Sequence, residues 1–299
     1  MIFKVAFRVT VTLIVSTILI PVAAYGATYW GGELPDISNT KTDADVTLNG
    51  DIYTFTYNIQ SGSSNTGNIS HITIDISKPT DGFPLDGQSL PTAYFSGKEV
   101  LNKTVPIGMF GPNGWYPGID YKSRAAWGGS AYTPGQNFGG LQITSRGIPS
   151  IREIIIWPKL IPPREDSGIT FEDIEATENK VNLVGKTIAP TAPPTEGDGI
   201  YSPFLHIEQI IGYIEESATL GWIPDATLTA ALRANALLIK QAIDGYDSAS
   251  AKTELTGFIS LLAQSPPAAR KNEAYGLLYY NAKYMLENIS PETDSILRK

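Results

Sequence analysis

Apolar and polar positions follow one rhythm in the first half of the chain and another in the second. Between Ala44 and Lys186 the period is two. ADVTL and IYTFTYNIQ flank Asn49-Gly50, a pair suited to the positive-φ turn of a β-hairpin. After it, Tyr53, Phe55, Tyr57 and Ile59 alternate with Thr54, Thr56, Asn58 and Gln60, so one face is apolar and the other wet. SHITIDIS repeats the pattern, with Ile72, Ile74 and Ile76 inward and His71, Thr73 and Asp75 outward. In PGQNFGGLQITSRGIPSIREIIIWP, LQITS and IREIIIW read as a hairpin joined through RGIPS. IREIIIW is apolar on both faces and so belongs in the middle of a sheet. Gly139-Gly140 permits a bulge where the chain enters the sheet. A phosphate cradle would need those glycines to lead into a helix, and a strand follows instead. GITFEDIEA and KVNLVG are expected to close the set. Short strands broken by Gly, Pro, Asn and Asp predict an antiparallel β-sandwich, Ig-like or jelly-roll-like, over residues 27–185.

KTIAPTAPPTEGDG, residues 186–199, lacks apolar periodicity and reads as a Pro-rich linker. After Tyr201 the period becomes helical. Ser202-Pro203 is an N-cap followed by proline at the first helical position, and Ile207, Ile210, Ile211 and Ile214 mark one face. Gly221 ends that helix. Asp225 caps a second, with Leu228, Leu232, Ile239 and Ile243, which stops at Gly245. Asp247 or Ser248 caps a third, carrying Leu255, Phe258, Ile259 and Leu262, and SPPAAR separates it from a fourth with Leu278, Ala282, Met285 and Ile289. Four amphipathic helices with short connections predict an antiparallel four-helix bundle over residues 200–290, followed by a frayed tail, 291–299.

GWI before the second helix, evenly spaced Leu and Ala within it, the polar turn after Ile243, the A..EL.GFI run and the A-x-x-M-L ending of the last helix form a pattern. It resembles the FIMAH-type helical module found near the C-termini of bacterial extracellular proteins. The resemblance covers roughly a third of the chain. It implies an accessory, non-catalytic module and transfers no catalytic residue. SPPAAR is a local departure.

The first 26 residues place Lys4 and Arg8 before an apolar run from Val9 to Ile20, then Pro21 and small residues. That is the layout of a secretory signal peptide, with cleavage after Ala24 or Gly26, and the run is short for a membrane span. No later stretch is apolar enough to cross a membrane. The chain is therefore expected to be secreted, extracellular or periplasmic, or at the cell surface. Without Lys4 and Arg8, 20 basic residues face 30 acidic ones. This acidity disfavours nucleic acid and anionic lipid. There is no cysteine, so disulfides, thiolate catalysis and Cys-based metal sites are excluded. An exported chain of this size without cysteine suggests a bacterial or archaeal origin rather than an animal one.

Candidate chemistry is sparse. The two histidines, His71 and His206, fall in different segments, which disfavours a multi-histidine metal site. His71 with Thr73 and Asp75 is half of a metal or acid–base site or a solvated strand face; His206 is expected half in water at a helix end. Ser145 has no histidine near it and no GxSxG around it. Asp120 and Glu153 are the carboxylates a glycosidase would use, though nothing pairs them and Glu153 also suits a salt bridge with Arg152. Asp43, Asp45 and Asp51 could bind calcium but lack EF-hand spacing, so no cofactor is expected.

Residues 108–140 hold nine glycines and seven aromatic residues in 33 positions. Trp115, Tyr116, Asp120, Tyr121, Arg124, Trp127 and Tyr132 could form a surface that stacks a sugar or docks another protein. Equally, the rings could pack over the end of the sheets. The function expected from sequence is a non-catalytic binding or structural protein with a protein or glycan partner at the cell surface. The alternatives are a carbohydrate-binding protein using this loop and a carboxylate-dependent hydrolase.

Overall fold

The structure is a computed structural model and describes residues 29–75, 95–97, 104–105, 124–196 and 199–290. Its N-terminal half is antiparallel sheet. β1 (Lys41–Asn49) and β2 (Ile52–Gln60) pair from Asn49–Ile52 outward. Gly50, with φ +62, takes the first loop position that a side chain would resist. Tyr53, Phe55, Tyr57 and Ile59 are all buried, as alternation predicts. β3 (Ile69–Asp75), β4 (Phe95–Gly97), β5 (Thr104–Val105), β6 (Arg124–Tyr132), β7 (Asn137–Ser145) and β8 (Ile148–Pro158) follow. They form a four-stranded sheet, β1-β2-β7-β4, and part of a five-stranded one, β5-β6-β3-β8, which ends on β9 (Leu183–Thr191).

Four strand expectations need correction. β7 and β8 are not a hairpin: they lie in different sheets, and Arg146-Gly147 carries the chain across. A Cβ on Gly147 would stand 2.8 Å from the Thr191 carbonyl oxygen, so only glycine passes there. β3 does not present the wet face expected of it: His71, stacked on Trp157, and Thr73 are buried along with Ile72 and Ile74, and Asp75 is half-buried. The segment read as a linker is strand through Thr191, paired with β8 from Leu183–Ile156 to Thr191–Ile148. β9 is an edge strand, where proline removes no obligatory ladder bond, and Pro190 faces Pro149 across the pair. The bulge, by contrast, is where glycine suggested. The register steps from Tyr57–Leu141 to Asn58–Gly139, leaving Gly140 as the extra residue.

GITFEDIEA is not a strand. Phe171–Val181 is helix α1, begun by a capping box in which the Thr170 hydroxyl accepts from the Asp173 N–H and the Asp173 carboxylate accepts from the Thr170 N–H. Only Thr177 of this helix is buried, so it lies on the surface. A short hairpin, β10 (Thr195–Glu196) with β11 (Ile200–Tyr201), leads into four helices: α2 (Pro203–Thr219), α3 (Ala226–Asp244), α4 (Ser248–Gln264) and α5 (Asn272–Asn288). Ser202, Asp225 and Asp247 cap α2, α3 and α4 through their side chains. Gly221 follows α2 with φ +66. No described helix is long and apolar enough to cross a membrane.

The helices share one hydrophobic core with the sheets. α5 lies against β1, β8 and β9. The approach is closest at Gly276, whose Cβ would stand 3.2 Å from the Val46 side chain and 3.5 Å from Ile188 Cδ1. Glu273, in the first turn of α5, accepts from the Ala44 N–H at 3.0 Å, and Asn281 donates to the Pro149 carbonyl at 2.8 Å. Gly276→Leu is therefore expected to lower stability by about 1–3 kcal/mol through overpacking at this contact. Urea unfolding followed by circular dichroism measures it, and an unchanged midpoint would show that α5 can move off the sheet freely.

Candidate functional site

Three backbone segments line an open cavity of about 450 Å³: residues 29–35 before β1, 66–68 between β2 and β3, and 159–162 after β8. Each wall is tied to another. The Asp36 carbonyl accepts from the N–H groups of Thr66 (2.9 Å) and Gly67 (3.0 Å), while the Asp36 N–H donates to the Thr66 hydroxyl at 3.0 Å. Asn65, buried behind this loop, accepts from the Asn39 N–H and donates to Thr40 and Ser61. Gly67 lies so close to Pro35 that a Cβ would be 2.5 Å from the proline ring. The Lys159 N–H donates to the Asn68 carbonyl. Ile161 is held from both sides: its N–H donates to the Tyr29 hydroxyl at 2.8 Å, and its carbonyl accepts from the Trp30 indole. The cavity is thus built before any ligand arrives, and its volume lies in the range of small-molecule sites. Its surface mixes aliphatic carbon with Glu33 and Lys159; Leu34 is 44% and Ile161 57% exposed.

Both histidines are buried, contrary to the solvated positions expected for them. His71 stacks on Trp157 with ring centroids 5.2 Å apart, shares a 2.9 Å hydrogen bond between Nδ1 and the Ser70 hydroxyl, and has its pKa lowered to about 3 by burial. His206 is fully buried, with its pKa lowered to about 4 by burial despite the opposing bond to Asn281. The Asn281 amide NH₂ donates to the carbonyls of Pro149 and Leu277, so its Oδ1 is an acceptor. His206 Nε2 therefore carries the proton and donates to Asn281 at 2.8 Å, and Nδ1 accepts from the Tyr201 hydroxyl at 2.9 Å. This neutral tautomer links β11, α2, α5 and β8.

Of the residues singled out from sequence, Trp115, Tyr116, Asp120 and Tyr121 lie outside the described residues. Arg124 and Trp127 are on β6, at register positions opposite Asp75 and Ile72 respectively. Tyr132 is a core residue, 6% exposed, its hydroxyl pushed up to about 12 by burial, so it is no part of an open aromatic row. Asp43 and Asp45 lie on the exposed face of β1, and Asp51 pairs with Arg146 at 2.8 Å. Among the described residues no group of three or more His, Cys, Asp or Glu could hold a metal ion. The buried Ser145 hydroxyl accepts from the Gly147 N–H, a turn-forming role. Glu153 stands opposite Lys186 in the β8–β9 register. Arg152 instead directs Nε to Ser150 and Nη2 to Thr191, both at 2.9 Å.

Sequence reasoning missed the cavity because its walls come from segments about 130 residues apart in the chain, as the Tyr29–Ile161 separation of 132 shows. The available signal was two aromatic residues, Tyr29-Trp30, placed just ahead of the first strand.

The two histidines set a pH dependence. Their folded pKa values lie below the ordinary 6.5, so the unfolded chain binds protons first as pH falls. Their contribution is complete above pH 6.5 and is lost on acidification at about 1.4 kcal/mol per pH unit for each, down to the folded pKa. Denaturant midpoints between pH 7 and 5 are expected to fall, and His206→Gln to remove about half of the histidine part of that slope. An identical slope in the variant would show that His206 takes up its proton in the folded protein as readily as in the unfolded chain.

No family model matches this chain, and a search of curated proteins finds no significant match.

Proposed function

We propose that this chain is an exported, non-catalytic binding protein of a bacterial cell surface, periplasm or medium. In this reading the two sheets are the halves of a small sandwich and α2–α5 are a FIMAH-like accessory module. The observation that carries the reading is the preformed cavity between residues 29–35, 66–68 and 159–162, whose walls are bonded to one another and whose surface leaves Leu34 and Ile161 open. The histidines, the residues best suited to acid–base work, support it too. Both are buried: His206 spends its hydrogen bonds on joining β11 to α5, and His71 bonds the neighbouring Ser70 hydroxyl on its own strand.

Expressed from its own start in a bacterium, the protein is expected outside the cytoplasm and trimmed after Ala24 or Gly26, which N-terminal sequencing reads directly. An untrimmed 32.3 kDa cytoplasmic product would overturn export. Screening the trimmed protein against glycans, peptides and small metabolites is expected to yield a saturable ligand. Ile161→Arg, at an exposed position, should weaken that ligand at least 10-fold without moving the melting temperature.

A further inference from the structure

We propose that the cavity is a seat for a free aliphatic α-amino acid, with its ammonium toward Glu33, its carboxylate toward Lys159 and its side chain against Leu34 and Ile161. The inference rests on the binding reading above and names the ligand class.

Two observations select it. Glu33 and Lys159 line the same cavity from different chain segments, one before β1 and the other after β8. Among the described residues neither is engaged in an ion pair, so both charges are available to a ligand. A ligand with only a positive charge would be drawn by Glu33 and repelled by Lys159, and an anion would meet the reverse. A neutral sugar would use neither charge. A zwitterion satisfies both, with charge-assisted bonds at each end. The second observation is the apolar surface between them. Leu34 and Ile161 expose 44% and 57% of their surface, with Pro35 and Pro162 beside them. Covering that carbon is the hydrophobic gain a ligand would bring. Since a cavity of about 450 Å³ stands toward the small end of ligand sites, a single aliphatic amino acid suits it better than an extended chain. The bonds among Tyr29, Trp30 and Ile161 hold the walls in place, which limits the ordering entropy lost on binding.

The test is calorimetric titration of the trimmed protein with L-leucine, N-acetyl-leucine (no ammonium) and leucinamide (no carboxylate). Leucine should bind saturably and each blocked form at least 10-fold more weakly. Glu33→Gln should abolish the preference for leucine over N-acetyl-leucine, and Lys159→Met the preference over leucinamide. Both positions are exposed, so melting temperatures should hold and failure to fold is not in question. Equal binding of all three compounds, or none with leucine, overturns the amino-acid assignment. If leucine fails but a glycan or peptide binds in an Ile161→Arg-sensitive way, the binding reading survives without this ligand class. If nothing in the screen binds, both fall.

Discussion

The seating of α5 on the sheets is the contact on which the rest of the described fold depends. β1 is an edge strand, and an edge leaves backbone groups without a ladder partner. At Ala44 that group is the N–H, and the buried Glu273 carboxylate accepts from it. Burial raises the Glu273 pKa, while the backbone N–H bonds work in the opposite direction. One turn along α5, Gly276 lets the helix approach Val46 and Ile188, and beyond it Asn281 takes the Pro149 carbonyl. Removing any of these contacts would leave either a buried polar group without a partner or a gap in the packing, and each is expensive in a close-packed interior.

From that contact the hydrogen-bond chain continues into the helices. Asn281 is fully committed: its NH₂ serves Pro149 and Leu277 and its oxygen serves His206. His206 in turn receives the Tyr201 hydroxyl, and Tyr201 and Tyr284 meet edge to face. A neutral imidazole fits because it offers one donor and one acceptor, as this position demands. The same economy explains why a residue often associated with catalysis is spent here on joining strand to helix.

The cavity follows another logic. It is made at strand ends, where backbone groups have left the ladder and bond across loops instead. Asp36, Asn65 and Tyr29 take up several of those groups, while the side chains of Leu34 and Ile161 remain exposed.

Much of the local structure could be read from the residues. The hairpin at Gly50, the alternation in β2, the bulge at Gly140 and the caps at Ser202, Asp225 and Asp247 all depend on neighbours within a few positions. The Thr170–Asp173 box was equally local, yet the apparent strand pattern of GITFEDIEA obscured it. What tertiary structure decided was everything whose partner is distant. β9 runs through Thr191 because β8 pairs with it, although Pro190 and the prolines that follow the strand suggest a linker. His71 is buried against the ring of the distant Trp157, and His206 meets Asn281 across 75 residues. The cavity exists because Tyr29 reaches Ile161. Caps, turns and periodicity are written in adjacent side chains; burial, strand pairing and the site depend on which distant surfaces meet, and that is settled only when the chain folds.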